Sequence, residues 1–305
     1  MNLDEAAVSR LLRMEEVIPA MERALADFSS GKVVQPTRVM VPVVEHEGFL
    51  GLMPAYYAGA ALGVKLVAFY PQNWGIPTHH ATILLFKPET GEPLISMDGR
   101  LITEVRTAAV SAVATNYLAR PDASVLAIIG SGVQARSHLE ALRLIRRFDE
   151  VRVWSPRHAE DFAQRFSVRA TASAEEAVRG ADVVVTATTS KTPVLSGEWL
   201  SPGAHINAVG SPRPDWRELD DETLRRARIY VDSREAALKE SGDVIAAGRI
   251  FAEVGEVASE AKPGRQSAEE ITLFKSLGLA VEDVATADLI YRKAANVATA
   301  EESLR

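Results

Sequence analysis

The 305-residue chain contains no cysteine. That excludes disulfide staples, thiolate nucleophiles and zinc or iron–sulfur sites built on sulfur ligands, so any redox chemistry needs a borrowed cofactor. Aromatic residues are sparse at 6%, and 34 Lys and Arg are outnumbered by 41 Asp and Glu, for a formal charge of −7. No basic run occurs, which argues against a nucleic-acid partner, because holding a polyanion takes clustered Lys and Arg. No apolar stretch approaches the roughly 18 residues of a membrane span. Residues 1–21 are amphipathic and acidic early, without the basic start and apolar run of a signal peptide, so a cytoplasmic protein is expected. Also missing are a G-x-S-x-G elbow, a P-loop and an H-E-x-x-H motif. His79 and His80 are adjacent on a strand edge and point to opposite faces, so no metal site is expected.

What is present is an ordinary globular composition, 47% hydrophobic and 25% charged, on a chain long enough for two domains. Residues 4–29 carry helical periodicity through Leu11, Leu12, Val17, Ile18, Met21, Leu25 and Phe28, ending at Gly31. Short β-rich runs follow at 39–44, 49–53, 64–70, 81–87 and 93–97, the last two joined by the turn cluster Pro88-Glu89-Thr90-Gly91. A helix is predicted over 102–118. Beyond Pro121, strands at 124–129, 150–154, 183–187, 205–209 and 229–232 alternate with helical patterns such as 134–147 and 159–165, the grammar of a covered parallel sheet. The apolar face of a last helix, 281–298, is expected to return to the N-terminal domain. The fold predicted is α/β: a Rossmann dinucleotide-binding domain at 119–271 and an α+β domain from 1–118 and 272–305.

The sharpest local signal is a G-x-G-x-x-A loop, Gly130-Ser131-Gly132-Val133-Gln134-Ala135, directly after an apolar strand and opening a helix. Gly130 permits the tight turn, Gly132 lets backbone N–H groups approach a pyrophosphate, and Ala135 keeps the helix close to the sheet. An acid ending the second strand would hydrogen-bond a ribose 2′-OH, but this strand ends Trp154-Ser155-Pro156-Arg157-His158. A hydroxyl and a guanidinium suit a 2′-phosphate, which favours NADPH and leaves NADH open. The bland alternative makes Arg157 a solvated helix-start residue. In the first domain Arg38, Lys65 and Arg106 stand at or near the ends of apolar segments, where long cations are costly unless they meet an anion or reach solvent. Arg38 and Arg106 can fork a carboxylate, with Lys65 donating a proton or a charged hydrogen bond beside it.

Longer runs carry a resemblance over nearly the whole chain: Met53-Pro54-Ala55-Tyr56, Met97-Asp98-Gly99, Arg106-Thr107-Ala108-Ala109, the glycine loop, and Thr272 to Gly278. The chain resembles the ornithine cyclodeaminase/mu-crystallin family. Its similarity to the mu-crystallin branch runs through 202–210, 213–221, 230–233 and 236–243.

The resemblance implies a homodimer whose second domain builds substrate pocket and dimer interface, with NADPH as cofactor. It implies catalytic roles for Lys65, Arg106 and Glu240, and substrate contacts from Arg38, Lys65, Arg106, Met53, Asp215, Trp216 and Glu240, the last facing the substrate nitrogen. Cofactor contacts are implied for Thr78, His79, Arg106, Gly130, Ser131, Gly132, Val133, Gln134, Ser155, Pro156, Arg157, Thr186, Thr188, Val209, Ser211 and Ser276. Whether Lys65 anchors the carboxylate or manages the proton stays open. The position of the cyclodeaminase catalytic Asp is Pro212 here, with Asp215 three residues on, so ammonia elimination lacks its acid–base group. The activity implied is NAD(P)H-dependent reduction of a cyclic ketimine, Δ1-piperideine-2-carboxylate or Δ1-pyrroline-2-carboxylate, to pipecolate or proline. The alternatives are an alanine or N-alkyl amino-acid dehydrogenase, a cyclodeaminase, and a protein that binds a thyroid-hormone-like ligand, as inhibitor or cargo.

Overall fold

The computed structural model describes residues 1–211 and 213–303. The chain divides into two compact units, residues 1–106 with those from 279 onward, and residues 107–278.

The first unit opens with β1 (Asn2–Leu3), α1 (Glu5–Leu11) and α2 (Met14–Ser29). The single helix expected over 4–29 is thus two. Leu12 and Arg13 take extended backbone angles, and the Arg13 guanidinium donates to the Ser9 and Leu12 carbonyls, satisfying groups a helix end leaves open. Then come β2 (Val33–Val34), β3 (Val39–Val43), β4 (Gly48–Tyr57), β5 (Ala61–Phe69), β6 (His79–Phe86), β7 (Pro93–Asp98) and α3 (Arg100–Leu118), within which the division falls. The sheet runs β1-β7-β6-β5-β4-β2 with β3 also on β4, antiparallel except where β1 joins β7. Strand alternation buries Met53 and Ala55 of β4 and Ala61, Gly63 and Lys65 of β5. A lysine therefore occupies a core position.

The second unit places every strand parallel. Its elements are β8 (Val125–Ile129), α4 (Val133–Ile145), β9 (Glu150–Trp154), α5 (Ala159–Phe166), β10 (Arg169–Ala170), α6 (Ala174–Val178), β11 (Val183–Thr186), β12 (His205–Ala208), α7 (Asp221–Arg226), β13 (Arg228–Val231), α8 (Arg234–Glu240), α9 (Gly242–Ala247), β14 (Ala252–Glu253), α10 (Val254–Ala258) and β15 (Thr272–Lys275). The order is β10-β9-β8-β11-β12-β15-β13-β14. Four of the central strands, β11, β12, β15 and nearly all of β8, are buried throughout; β8 and β11 read as continuous apolar runs, whereas β12 and β15 bury His205, Asn207, Thr272 and Lys275 among them. One unit is thus α+β and the other carries a Rossmann-like sheet, the architecture predicted.

Both expected boundaries shift: the first division falls between Arg106 and Thr107 rather than after residue 118, and the second lies beyond residue 272. Residue 272 does not begin the return to the first unit, because β15 inserts between β12 and β13, pairing with both. The return comes at Leu279. It leads into α11 (Ala280–Ser303), which packs on α2, β4, β5 and β6. Gly63 permits that approach, since a Cβ there would press on Val284 of α11 as well as on the Leu84 carbonyl. Among the described residues no helix is long and apolar enough to cross a membrane.

Candidate active site

In the first unit, two of the cations singled out by sequence, Lys65 and Arg106, meet acids at the start of α11. Asp283 sets Oδ2 2.6 Å from Lys65 Nζ and Oδ1 2.9 Å from Arg106 Nε, while Glu282 Oε2 lies 2.5 Å from Arg106 Nη1. Lys65, Arg106, Glu282 and Asp283 are all buried. Burial pulls the Lys65 ammonium down to about 8; Asp283 opposes the shift, and Arg106 and Arg38 add to it. Burial would raise the Asp283 carboxyl, but Arg106 and Lys65 outweigh it and hold the group below the usual carboxylate range. His79, half-buried at the head of β6, is pushed down to about 4 by burial and then by Lys65 and Arg106, so it is neutral at physiological pH. Met53 stands directly across from Lys65 in the β4–β5 register. Arg38, half-buried, is close enough to act on the Lys65 charge.

In the second unit, the chain leaves β8 to one side for β9 and later fills the other side with β11, a topological switch point where α/β sheets bind ligands. Gly130 has φ +122°, and a Cβ there would run into the Ala187 carbonyl oxygen. A Cβ on Gly132 would meet nothing within 4 Å. The backbone at the N-terminus of α4 is therefore open to a diphosphate, and no side chain caps that helix end. Val133 is exposed there, and Gln134 Oε1 and the Ser276 hydroxyl are buried without a hydrogen-bond partner. These features fit a dinucleotide. At the end of β9, Ser155 accepts from the Ser131 hydroxyl at 2.9 Å, and Pro156 and Arg157, which follow in place of a strand-end acid, are exposed.

The structure thus gathers Arg38, Met53, Lys65, His79 and Arg106 in one unit, with Thr78 exposed just before β6. Gly130, Ser131, Gly132, Val133, Gln134, Ser155, Pro156, Arg157, Thr188, Val209 and Ser276 lie at strand ends of the other. Glu240 ends α8, half-buried, and Asp215 is exposed. Trp216 is flanked by Lys191 and Arg213, each 5.2 Å from its ring centre. Pro212 lies outside the described residues. Thr186 and Ser211 are buried, their hydroxyls given to Glu218 and to the Ser190 carbonyl. Sequence reasoning missed Glu282 and Asp283. The only signal for them was an acidic pair interrupting the apolar start of the last helix.

The ornithine cyclodeaminase/mu-crystallin family model matches residues 1–297. Ketimine reductase mu-crystallin of Mus musculus is 55% identical over 286 residues, covering 90% of this chain and 91% of that protein. Among solved structures, the Δ1-pyrroline-2-carboxylate reductase of Thermococcus litoralis, in complex with NADH and L-proline, is 42% identical with a TM-score of 0.93 over 98% of each chain. An archaeal alanine dehydrogenase dimer with bound NAD is 38% identical with a TM-score of 0.92, over 97% of this chain and 96% of that one.

Proposed function

Since the chain belongs to the ornithine cyclodeaminase/mu-crystallin family, we propose that it is an NAD(P)H-dependent reductase of cyclic ketimine carboxylates. Δ1-Piperideine-2-carboxylate or Δ1-pyrroline-2-carboxylate would yield pipecolate or proline. The observation that carries this reading is the buried Lys65–Arg106–Glu282–Asp283 cluster, with half-buried Arg38 close enough to act on Lys65, a set of cations suited to a substrate carboxylate.

NAD(P)H bound along the strand ends of the second unit would supply hydride for the imine carbon. Arg106, whose Nε and Nη1 are held by Asp283 and Glu282, keeps its other terminal nitrogen to bind the carboxylate with Arg38. Lys65, with an ammonium drawn toward neutrality, is suited to holding a proton near the imine nitrogen or anchoring the carboxylate. Glu240 is assigned to the nitrogen end, where a carboxylate stabilises the protonated C=N. Ser155 and Arg157, in place of a strand-end acid, favour a 2′-phosphate and hence NADPH, with NADH also accepted.

We assign the first unit to substrate binding and homodimerisation. The exposed apolar side chains Val39, Met40, Val41 and Leu50 on paired strands β3 and β4 support the second role. A cytoplasmic location fits an acidic, cysteine-free, dinucleotide-dependent enzyme. The likeness to an alanine dehydrogenase keeps amine-dependent reduction of an oxo acid as a second reading. A thyroid-hormone-like carboxylate on the same cations would act as an inhibitor.

The test follows NADPH absorbance with each cyclic imine, with NADH and with ammonia plus pyruvate in parallel. Imine-dependent oxidation is expected. Silence on both imines with turnover in the ammonia arm would transfer the assignment to the dehydrogenase, and hormone binding without any turnover would replace both.

A further inference from the structure

A second buried ionic group, in the second unit, takes no part in the chemistry proposed above. Glu218, fully buried in the segment between β12 and α7, accepts four hydrogen bonds through one carboxylate. Its Oε1 takes the Thr188 backbone N–H at 2.8 Å and the Thr188 hydroxyl at 2.6 Å. Its Oε2 takes the Gly210 backbone N–H at 2.9 Å and the Thr186 hydroxyl at 2.8 Å. The carboxylate therefore ties the loop after β11 to the loop after β12. The far side of the Gly210 peptide is also held, because its carbonyl accepts from Lys275 Nζ, at the end of β15, at 2.5 Å. Lys275 is buried in turn against Asp243, which also accepts the backbone N–H groups of Glu218 and Leu219. Three neighbouring strand ends are thus joined in one chain of bonds.

We infer that Glu218 is a positioning residue for the dinucleotide: its carboxylate fixes the spacing of the loops carrying Thr188 and Val209, and through them the affinity of the crevice. This rests on the cofactor lying along those strand ends, as proposed above. The chemistry is specific to a carboxylate. Each oxygen faces one backbone N–H and one hydroxyl, and hydroxyls can rotate to donate or accept whereas backbone N–H groups cannot. A glutamine at this position, in either flip, turns its NH2 onto a backbone N–H and must release one of the two loops. Thr186→Val is a gentler change, nearly isosteric and removing only one of the four bonds.

The experiment titrates wild type, Glu218→Gln and Thr186→Val with NADPH, following ligand fluorescence, alongside thermal melting and amide hydrogen exchange of the apoproteins. Glu218→Gln is expected to raise Kd at least about tenfold. Thr186→Val should raise it less, with faster exchange in both variants confined to 186–190 and 208–211. Unchanged Kd in both variants would overturn the inference, as would exchange rising evenly across the sheet, the mark of a merely structural role. Should Glu218→Gln fail to fold, Thr186→Val decides by the same criteria. Absence of NADPH binding by the wild type is a distinct result, which would overturn the cofactor reading and this inference with it.

Discussion

The Asp283 carboxylate stands 2.6 Å from the Lys65 ammonium, and both side chains are buried, one on the first turn of α11 and the other at a core position of β5. An ion pair so placed is costly to break from one side, because the surviving charge has no water to turn to. It also holds the lysine protonated against the pull of burial and of two neighbouring arginines.

Asp283→Asn is expected to destabilise the protein by about 3–5 kcal/mol, the usual cost of stranding one partner of a buried pair. Where the variant folds, its Lys65 should titrate below the value of about 8 that the wild type shows, since the group opposing the downward shift is gone. With Lys65 acting as the proton donor, the alkaline limb of the kcat/KM profile therefore moves to lower pH. A limb that stays where the wild type has it would separate Lys65 from proton transfer and leave it as an anchor.

Arg106→Ala should raise KM for the imine carboxylate by about a hundredfold, in line with the several kcal/mol that a buried charged hydrogen bond carries when one partner is lost. Binding of NADPH, measured directly by fluorescence titration, is expected to stay within a few-fold of wild type. Unaltered KM would remove Arg106 from the carboxylate clamp.

Arg157→Ala should reduce the preference for NADPH over NADH by about tenfold, equivalent to about 1.4 kcal/mol for one charge-assisted contact with phosphate. Ser155→Asp, which sets a carboxylate at the end of β9, should go further and favour NADH. The ratio of kcat/KM for the two cofactors is the measurement; a ratio insensitive to both changes would make Arg157 a solvated surface residue.

His138 and His205 are wholly buried, and burial depresses them to about 4 and about 3. His138 sits between the Gln134 carbonyl and Ser111, and His205 between Thr272 and Asn207. The unfolded chain binds protons on these rings near pH 6.5 and the folded chain does not, so stability is intact above 6.5 and falls as pH drops toward 4. The slope for the pair approaches about 3 kcal/mol per pH unit, and His79, depressed to about 4, steepens it further. Urea unfolding between pH 7 and pH 4.5 reads it directly, and a flat response would show that these rings are protonated in the native state.

Much of the fold was legible because its causes are local. The 124–129 and 183–187 runs fall within a residue of β8 and β11, because strands buried on both faces are continuously apolar, and the predicted strand over 150–154 matches β9, whose Val151 and Val153 alternate with half-buried neighbours. The glycine loop was legible because a positive φ at Gly130 and an open backbone at Gly132 leave few residue choices. The split between α1 and α2 was not, since it rests on one arginine side chain satisfying carbonyls within an otherwise helical pattern. Nor was the place of β15, because strand order is set by pairing between segments far apart in the chain.

Sequence by itself determined that this is a two-part α/β protein with a dinucleotide loop, no acid at the end of its second Rossmann strand, and cations where cations are expensive. Tertiary structure alone decided what those cations meet: Lys65 and Arg106 share Asp283, Arg106 also takes Glu282, and Glu218 closes on the amides of Thr188 and Gly210. The difference is physical. Backbone conformation and apolar burial leave periodic traces along a chain, whereas electrostatic pairing depends on distance through space and on local dielectric, neither of which is ordered by residue number.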